Sequence, residues 1–496
     1  MGVMRFLVPR RDSLAPDAVD RAYMAGLDEI PWQARFVWEE NELAVERAEN
    51  DSGNLYIPCP LDGHGELVLC TASLMERERP YVLHVELARG TLNRLRNQIG
   101  VWESMGMQVP PQVRTMVHEA SEHLSNAVTR QSDLAAAAEY AVKSLGTSLD
   151  AIATLAQSFT GQVLAARYQH GGKINALFGI NLGSARPTQE MTDAILPCAN
   201  TAVVPLSWRD IEVSEGQRDW ALPDAQIQWC QAHGLKICGG PLLQIDRWSL
   251  PDWMYLWGED DDEQFRNCVA EHIEAVVGRY RGKVQLWQCA ARLNINNDFK
   301  QSEEERLRLA VLSVECIRRV DQRTPIILSI DRPWGSYMGR DDYDLSPLQF
   351  ADALVRAQLG LAGIGLEINF GYTPHGTQPR DMIEFGRQVD RFCSLGLPIL
   401  ISLTAPSAPG DDAAARLKNK VLRYAGGDGP TGQSQRDWAE HYLPMLLAKQ
   451  PVQGVIWGQL LDSQPHAFGH GGLFDADDLP KPVVELLQSL RQENVV

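Results

Sequence analysis

The spacing of apolar residues changes its period twice along the chain. From Met4 to about Glu86 the apolar positions fall in short alternating runs, RFLVP, ARFVWEENELAVERA, NLYIPCP and GELVLCTASL, separated by turn clusters such as Asn50-Asp51-Ser52-Gly53 and Asp62-Gly63-His64-Gly65. A period of two between such clusters predicts antiparallel strands of a small β-sandwich. Pro80 to Leu87 reads as one more strand of it. From about Gly90 the period becomes helical: TLNRLRNQIGVWESMG, then QVRTMVHEASEHLSNAVTR after Pro110-Pro111, then the Ala-rich SDLAAAAEYAVKSLGTSLDAIATLAQSFTGQVLAAR. Ser132 is the expected cap of that last helix and Gly146 an expected break.

From Lys173 onward, short apolar runs alternate with amphipathic helices. The expected strands are 176–181, 201–205, 235–238, 284–287, 325–330, 363–369, 398–403 and 454–457. Eight such units predict an α/β chain ending in a (β/α)8 TIM barrel. The expected organisation is a β-sandwich-like domain at 1–89, a helical linker domain at 90–170 and the barrel at 171–496. An open, doubly wound sheet would want a Gly-rich phosphate turn after its first strand, and Asn181-Leu182-Gly183-Ser184-Ala185-Arg186 is not one.

Composition narrows the partners. The chain has 496 residues, 44% hydrophobic and 22% charged, as globular proteins do. A net charge of −18 argues against broad contact with nucleic acid or an anionic membrane. The first residues lack an apolar run of signal-peptide length, and no stretch reaches the roughly 18 apolar residues of a membrane span. The nine cysteines stand singly, none at C-x-x-C spacing, as in reduced proteins. A cytoplasmic location is therefore expected. P-loop, dinucleotide, G-x-S-x-G and H-E-x-x-H motifs are absent, so no cofactor is expected. His466 and His470 lack a carboxylate at ligand spacing; that stretch reads as a flexible loop over the barrel mouth, not a metal site. Gly426 to Pro430 reads as a turn-rich loop.

Several segments, in order, carry a resemblance. They are Phe178-Gly179-Ile180, Asn200 to Pro205, Glu212 to Gly216, Leu250-Pro251-Asp252-Trp253, Arg279 to Val284 with Trp287, Gly363 to Leu366, Gly396 to Ile401, Val455 to Gly458, and Leu473-Phe474-Asp475 with Pro480-Lys481-Pro482. Together they resemble glycoside hydrolase family 10, the xylanases, over roughly Leu177 to Leu490. The resemblance implies a barrel with a sugar site at the C-terminal ends of its strands. The departures are equally specific. Where the family carries its acid/base in W-D-x-x-N-E, this chain has Trp287-Gln288-Cys289-Ala290-Ala291-Arg292. Where the nucleophile stands in I-T-E-L-D, it has Ile401-Ser402-Leu403-Thr404-Ala405. Retaining hydrolysis needs two carboxyl groups about 5–5.5 Å apart, and by this alignment both are missing.

Polar residues remain at the expected strand ends. Glu367 and Asp331 are the candidate catalytic pair, one strand apart. A carboxyl at the end of a buried strand is held up in pKa unless paired, which suits an acid. Equally, Glu367 could be neutralised by Arg292 or Arg332, and Asp331 could cap its turn. Candidate substrate-binding residues are Trp208, Arg209, Asp246, Arg292, Trp334, Asn369, Tyr372 and Trp457, with the tryptophans as platforms for sugar rings. Two functional classes stay open. One is a carbohydrate-active barrel that binds, and with a relocated pair hydrolyses, a glycoside. The other is a pseudoenzyme that binds sugar or serves as a scaffold, self-associating through its N-terminal zones.

Overall fold

The computed structural model describes residues 2–48, 50–256, 262–424 and 429–496; residues 426–428 of the expected turn-rich loop therefore lie outside the described residues. Eight parallel strands close a barrel in sequence order, the last pairing with the first: Leu177–Asn181, Thr201–Val204, Lys236–Gly239, Leu286–Ala291, Ile326–Asp331, Gly363–Asn369, Ile399–Thr404 and Val452–Trp457. These are barrel strands one to eight. Helices connect them and cover the outside, as a right-handed parallel topology requires. Inward glycines let neighbouring side chains fill the interior. A Cβ on Gly454 would meet Leu400 Cδ1 at 2.1 Å, and one on Gly365 would meet Ser329 Oγ at 2.2 Å.

Two four-stranded sheets precede the barrel. One orders Ala34–Glu39, Glu42–Arg47, Gly2–Leu7 and Tyr81–Val82; the other orders Pro31–Trp32, Tyr23–Ala25, Asn54–Leu61 and Gly65–Cys70. Phe6 and Val45 from the first and Ile57 and Leu69 from the second join one hydrophobic core. The expected strand at Pro80 to Leu87 is a strand only at Tyr81–Val82, and helix Leu83–Ser104 begins at once. Residues 83–88 are buried on every side, so the polar face that betrays a helix is missing there. The burial is tight: a Cβ on Gly90 would lie 2.1 Å from the Cys70 carbonyl oxygen.

Two further helices follow, Pro111–Thr129 and Leu134–Gly171. Small residues are buried on both, Ala120 and Ala127 on the first and Ala137 and Ala141 on the second, and Ser144 Oγ donates to the Ala120 carbonyl at 2.8 Å. Asp133, not Ser132, caps the long helix by accepting from Ala136 N–H. Gly146 does not break it, because tertiary packing along the helix outweighs the ~1 kcal/mol that a mid-helix glycine costs. Among the described residues no helix is long and apolar enough to cross a membrane.

The N-terminal elements dock on barrel helix Met382–Cys393 through buried charge. Arg94 pairs with Asp381 at 3.0 Å, Arg387 pairs with Glu29, and Arg380 donates to the Tyr23 hydroxyl. Burial works against the Glu384 carboxylate at the centre. Arg94, Arg380 and Arg387 outweigh it and hold its pKa below the usual range.

Candidate functional site

The C-terminal ends of the barrel strands surround a cavity of about 340 Å3. Its floor is polar. Gln288 on strand four donates to Ser329 Oγ on strand five at 2.8 Å. Strand four bulges between Gln288 and Ala290, and Arg292 follows it in the left-handed region at φ 61°. Bulges and left-handed residues re-aim side chains at strand ends, at some cost in backbone energy. Here they aim Arg292 across the mouth, where its Nε donates to Glu367 Oε2 of strand six at 2.9 Å.

This ion pair dominates the electrostatics. Burial pushes the Glu367 carboxyl up, Arg292 opposes it, and the charges of Asp331 and Asp246 add to the rise, so the net shift is upward. Burial disfavours the Arg292 cation too, but Glu367, Asp331 and Asp246 outweigh it and raise its pKa. Both side chains are less than one-fifth exposed, at 18% and 15%.

Of the residues expected from sequence, Trp208, Asp246, Arg292, Glu367 and Asn369 line this cavity. Trp208 is a wall rather than an open platform: its ring stacks on His272 at 4.6 Å, and its Nε1 donates to Glu212. Asp246 accepts from Gln244 Nε2 and from Trp248 N–H.

Five others lie elsewhere. Asp331 is Glu367's register partner but is 3% exposed and does not line the cavity. Its backbone is stitched to Asn294 in both directions, and its carboxylate lies 3.7 Å from Arg332 Nε. Trp334 packs edge-on against Phe385 in the helix layer. The Tyr372 hydroxyl donates to the Gly469 carbonyl, and Trp457 Nε1 to that of Gly471, so both rings are buried beneath a loop. Arg209 pairs with Asp252 outside the mouth.

On strand seven the residues that face the cavity are the neighbours of Leu403. Leu403, aligned with the nucleophile position, is fully buried away from the cavity, while Ser402 and Thr404 line it. Side chains alternate along a strand, so a shift of one exchanges the inner and outer sets. Strands four and seven carry no carboxylate between Leu286 and Ala291 or between Ile399 and Thr404.

The segment His466 to Gly472 is not a flexible loop. His466 Nε2 lies 3.0 Å from Asp412 Oδ2, and His470 N–H donates to the same carboxylate. Asp412, Asp462 and His466 bring ligand-type atoms within 4.8 Å of one another, from segments the sequence keeps far apart. Lys481 occupies that cluster, pairing with Asp462 and donating to the His470 carbonyl at 3.1 Å. An ammonium there supplies the positive charge that a cation would bring. Sequence reasoning missed Ser402 and Thr404, which strand alternation could have found. It also missed Arg416, a loop residue that no local pattern marks, and the role of His466 in holding that loop.

Residues 190–311 match the family model described as glycosyl hydrolase family 10. The chain is similar to endo-1,4-beta-xylanase 3 of Hypocrea jecorina, 29% identical over 108 residues, which are 22% of this chain and 28% of that protein. It is 21% identical to endo-1,4-beta-xylanase 5-like of Arabidopsis thaliana over 230 residues, 44% of this chain and 37% of that protein. The chain thus matches well under half the length of these relatives. Among solved structures, xylanase 10B of Thermotoga maritima superposes with a TM-score of 0.47 at 15% identity, covering 67% of this chain and 97% of that one. The protein is a (β/α)8 barrel similar to the xylanases of glycosyl hydrolase family 10.

Proposed function

We propose that this barrel binds a carbohydrate at its mouth without cleaving it by the two-carboxylate route. The observation that carries the reading is the Arg292–Glu367 ion pair: the one carboxylate that the inward ends of strands four to seven present to the cavity is bound to a guanidinium. Hydrolysis with retention needs a second carboxyl about 5–5.5 Å away, one group attacking while the other protonates the leaving oxygen. Arg292 and the Ser402–Thr404 segment, where the xylanase resemblance puts the two glutamates, cannot fill either role. The polar floor and the amide and hydroxyl groups around it suit sugar hydroxyls.

One observation favours a second reading, hydrolysis with Glu367 as acid: its carboxyl is held up, and Asp246 lines the same cavity. A single experiment separates them. Purified protein is titrated calorimetrically with xylo-oligosaccharides, and incubated with xylan and a panel of aryl glycosides. Saturable binding without release of aglycone or reducing ends supports the first reading. Turnover that disappears in Glu367→Gln would establish the second.

A further inference from the structure

Two guanidinium groups line the barrel-mouth cavity, and only one has a carboxylate partner. Arg416, on the segment between strand seven and its helix, forms no ion pair among the described residues, although the chain carries an excess of acid. Its guanidinium lies over the ring of Trp248, 5.7 Å from the centroid. Its backbone is held in place: Arg416 N–H donates to the His466 carbonyl at 2.8 Å, and the preceding Ala415 bridges to His466. The Asp412–His466 contact clamps the same two segments. This arginine is therefore presented to the cavity by a fixed support rather than by a free loop.

Among the described residues none of the four carboxylates that line the cavity, Glu367, Asp246, Asp219 and Asp210, pairs with Arg416, and Arg247 shares the Trp248 ring with it, 4.9 Å from the centroid. Glu367 is answered by Arg292, and Asp246 by Gln244 Nε2 and the Trp248 N–H. A guanidinium laid on an indole is shielded on that face and keeps its edge N–H groups for an in-plane partner. The partner that fits such a fork is a carboxylate, which it takes in two parallel hydrogen bonds. Arg292 adds to the case, because its Nε–H is spent on Glu367 and its terminal N–H groups form no hydrogen bond among the described residues.

We infer that the ligand of this cavity is an acidic saccharide, with the carboxylate of a uronic acid residue paired to Arg416 on Trp248. The inference rests on the carbohydrate-binding reading above and specifies its ligand. A cavity of about 340 Å3 lies at the small end of ligand sites, which suits one or two sugar rings.

The test is calorimetric titration of the full chain with digalacturonate, xylobiose and glucose 6-phosphate at low and moderate salt. Digalacturonate should bind at least about tenfold more tightly than xylobiose, since a charge-assisted pair is worth that much, and the margin should shrink with salt. In Arg416→Gln the ratio of the two affinities should collapse towards one, and in Arg416→Lys it should fall only part of the way, with thermal melts verifying that both variants fold. Equal affinities in the wild-type protein, or a preference that survives Arg416→Gln, would overturn the inference while leaving sugar binding intact. A preference for the phosphate over the uronate that Arg416→Gln removes would overturn the choice of carboxylate. Failure to bind any of the three would overturn the carbohydrate reading itself, and this inference with it.

Discussion

Asp331 and Glu367 are register partners on neighbouring parallel strands, yet only Glu367 lines the cavity. The aspartate is one methylene shorter, and Asn294 fixes its backbone from both sides. Its charge still reaches the site, helping to hold the Glu367 carboxyl up. The cavity therefore holds the longer side chain, already bound to Arg292.

Removing either half of that pair should be costly. Glu367→Gln leaves a largely buried guanidinium without its counter-charge, and stability should fall by roughly 3–5 kcal/mol. The double variant Arg292→Met, Glu367→Leu should recover most of the loss, because two apolar side chains leave no unpaired charge. Urea unfolding of the wild type and both variants measures this. A Glu367→Gln protein as stable as the wild type would mean the pair contributes nothing.

Acid should destabilise the fold through two buried histidines. Burial lowers the pKa of His272 to about 3, with the Arg218 charge assisting, and that of His84 to about 4. Unfolded, each titrates near 6.5. The unfolded state thus binds more protons below that value, so the stability these residues contribute is present above pH 6.5 and is lost as pH falls towards 4 and 3. Each adds a slope of about 1.4 kcal/mol per pH unit in that window. His272→Phe, which keeps a ring against Trp208, should flatten the acid limb of a stability–pH curve.

The Asp412–Asp462–His466 cluster should not depend on a metal ion, because Lys481 already brings a positive charge into it. Dialysis against a chelator should leave the melting temperature unchanged. Burial lowers the Lys481 pKa and Asp462 opposes the shift. Lys481→Met should cost several kcal/mol, roughly 3–5, by leaving Asp462 without its partner. A drop in melting temperature on chelation of the wild type would count against this assignment.

Gly90 should tolerate no side chain. A Cβ there would lie 2.1 Å from the Cys70 carbonyl and 2.5 Å from the Thr71 carbonyl carbon, both rigid backbone. Gly90→Ala must push helix Leu83–Ser104 off its strand, at a cost of about 1–3 kcal/mol. Gly100→Ala, on the same helix but with open space around it, should be neutral or stabilising by up to about 1 kcal/mol. Thermal unfolding of the two variants compares them directly.

Local pattern determined the barrel. Eight short apolar runs between amphipathic helices allow few other arrangements, and the strands form within a few residues of where alternation puts them. That Arg292 and Glu367 stand at strand ends could also be read from the sequence, because strand order and length fix which residues reach the mouth. Tertiary structure decided the rest. The helix at Leu83 was hidden because burial on all sides erases its polar stripe. The inward residues of strand seven, Ser402 and Thr404, depend on a register that one residue reverses. Asp331, Trp334 and Tyr372 lie away from the cavity through contacts with distant chain, which no local pattern encodes. Arg416, Asp412 and Lys481 reach the mouth or its supporting loops across long sequence separations, where only the packed barrel brings their charges together.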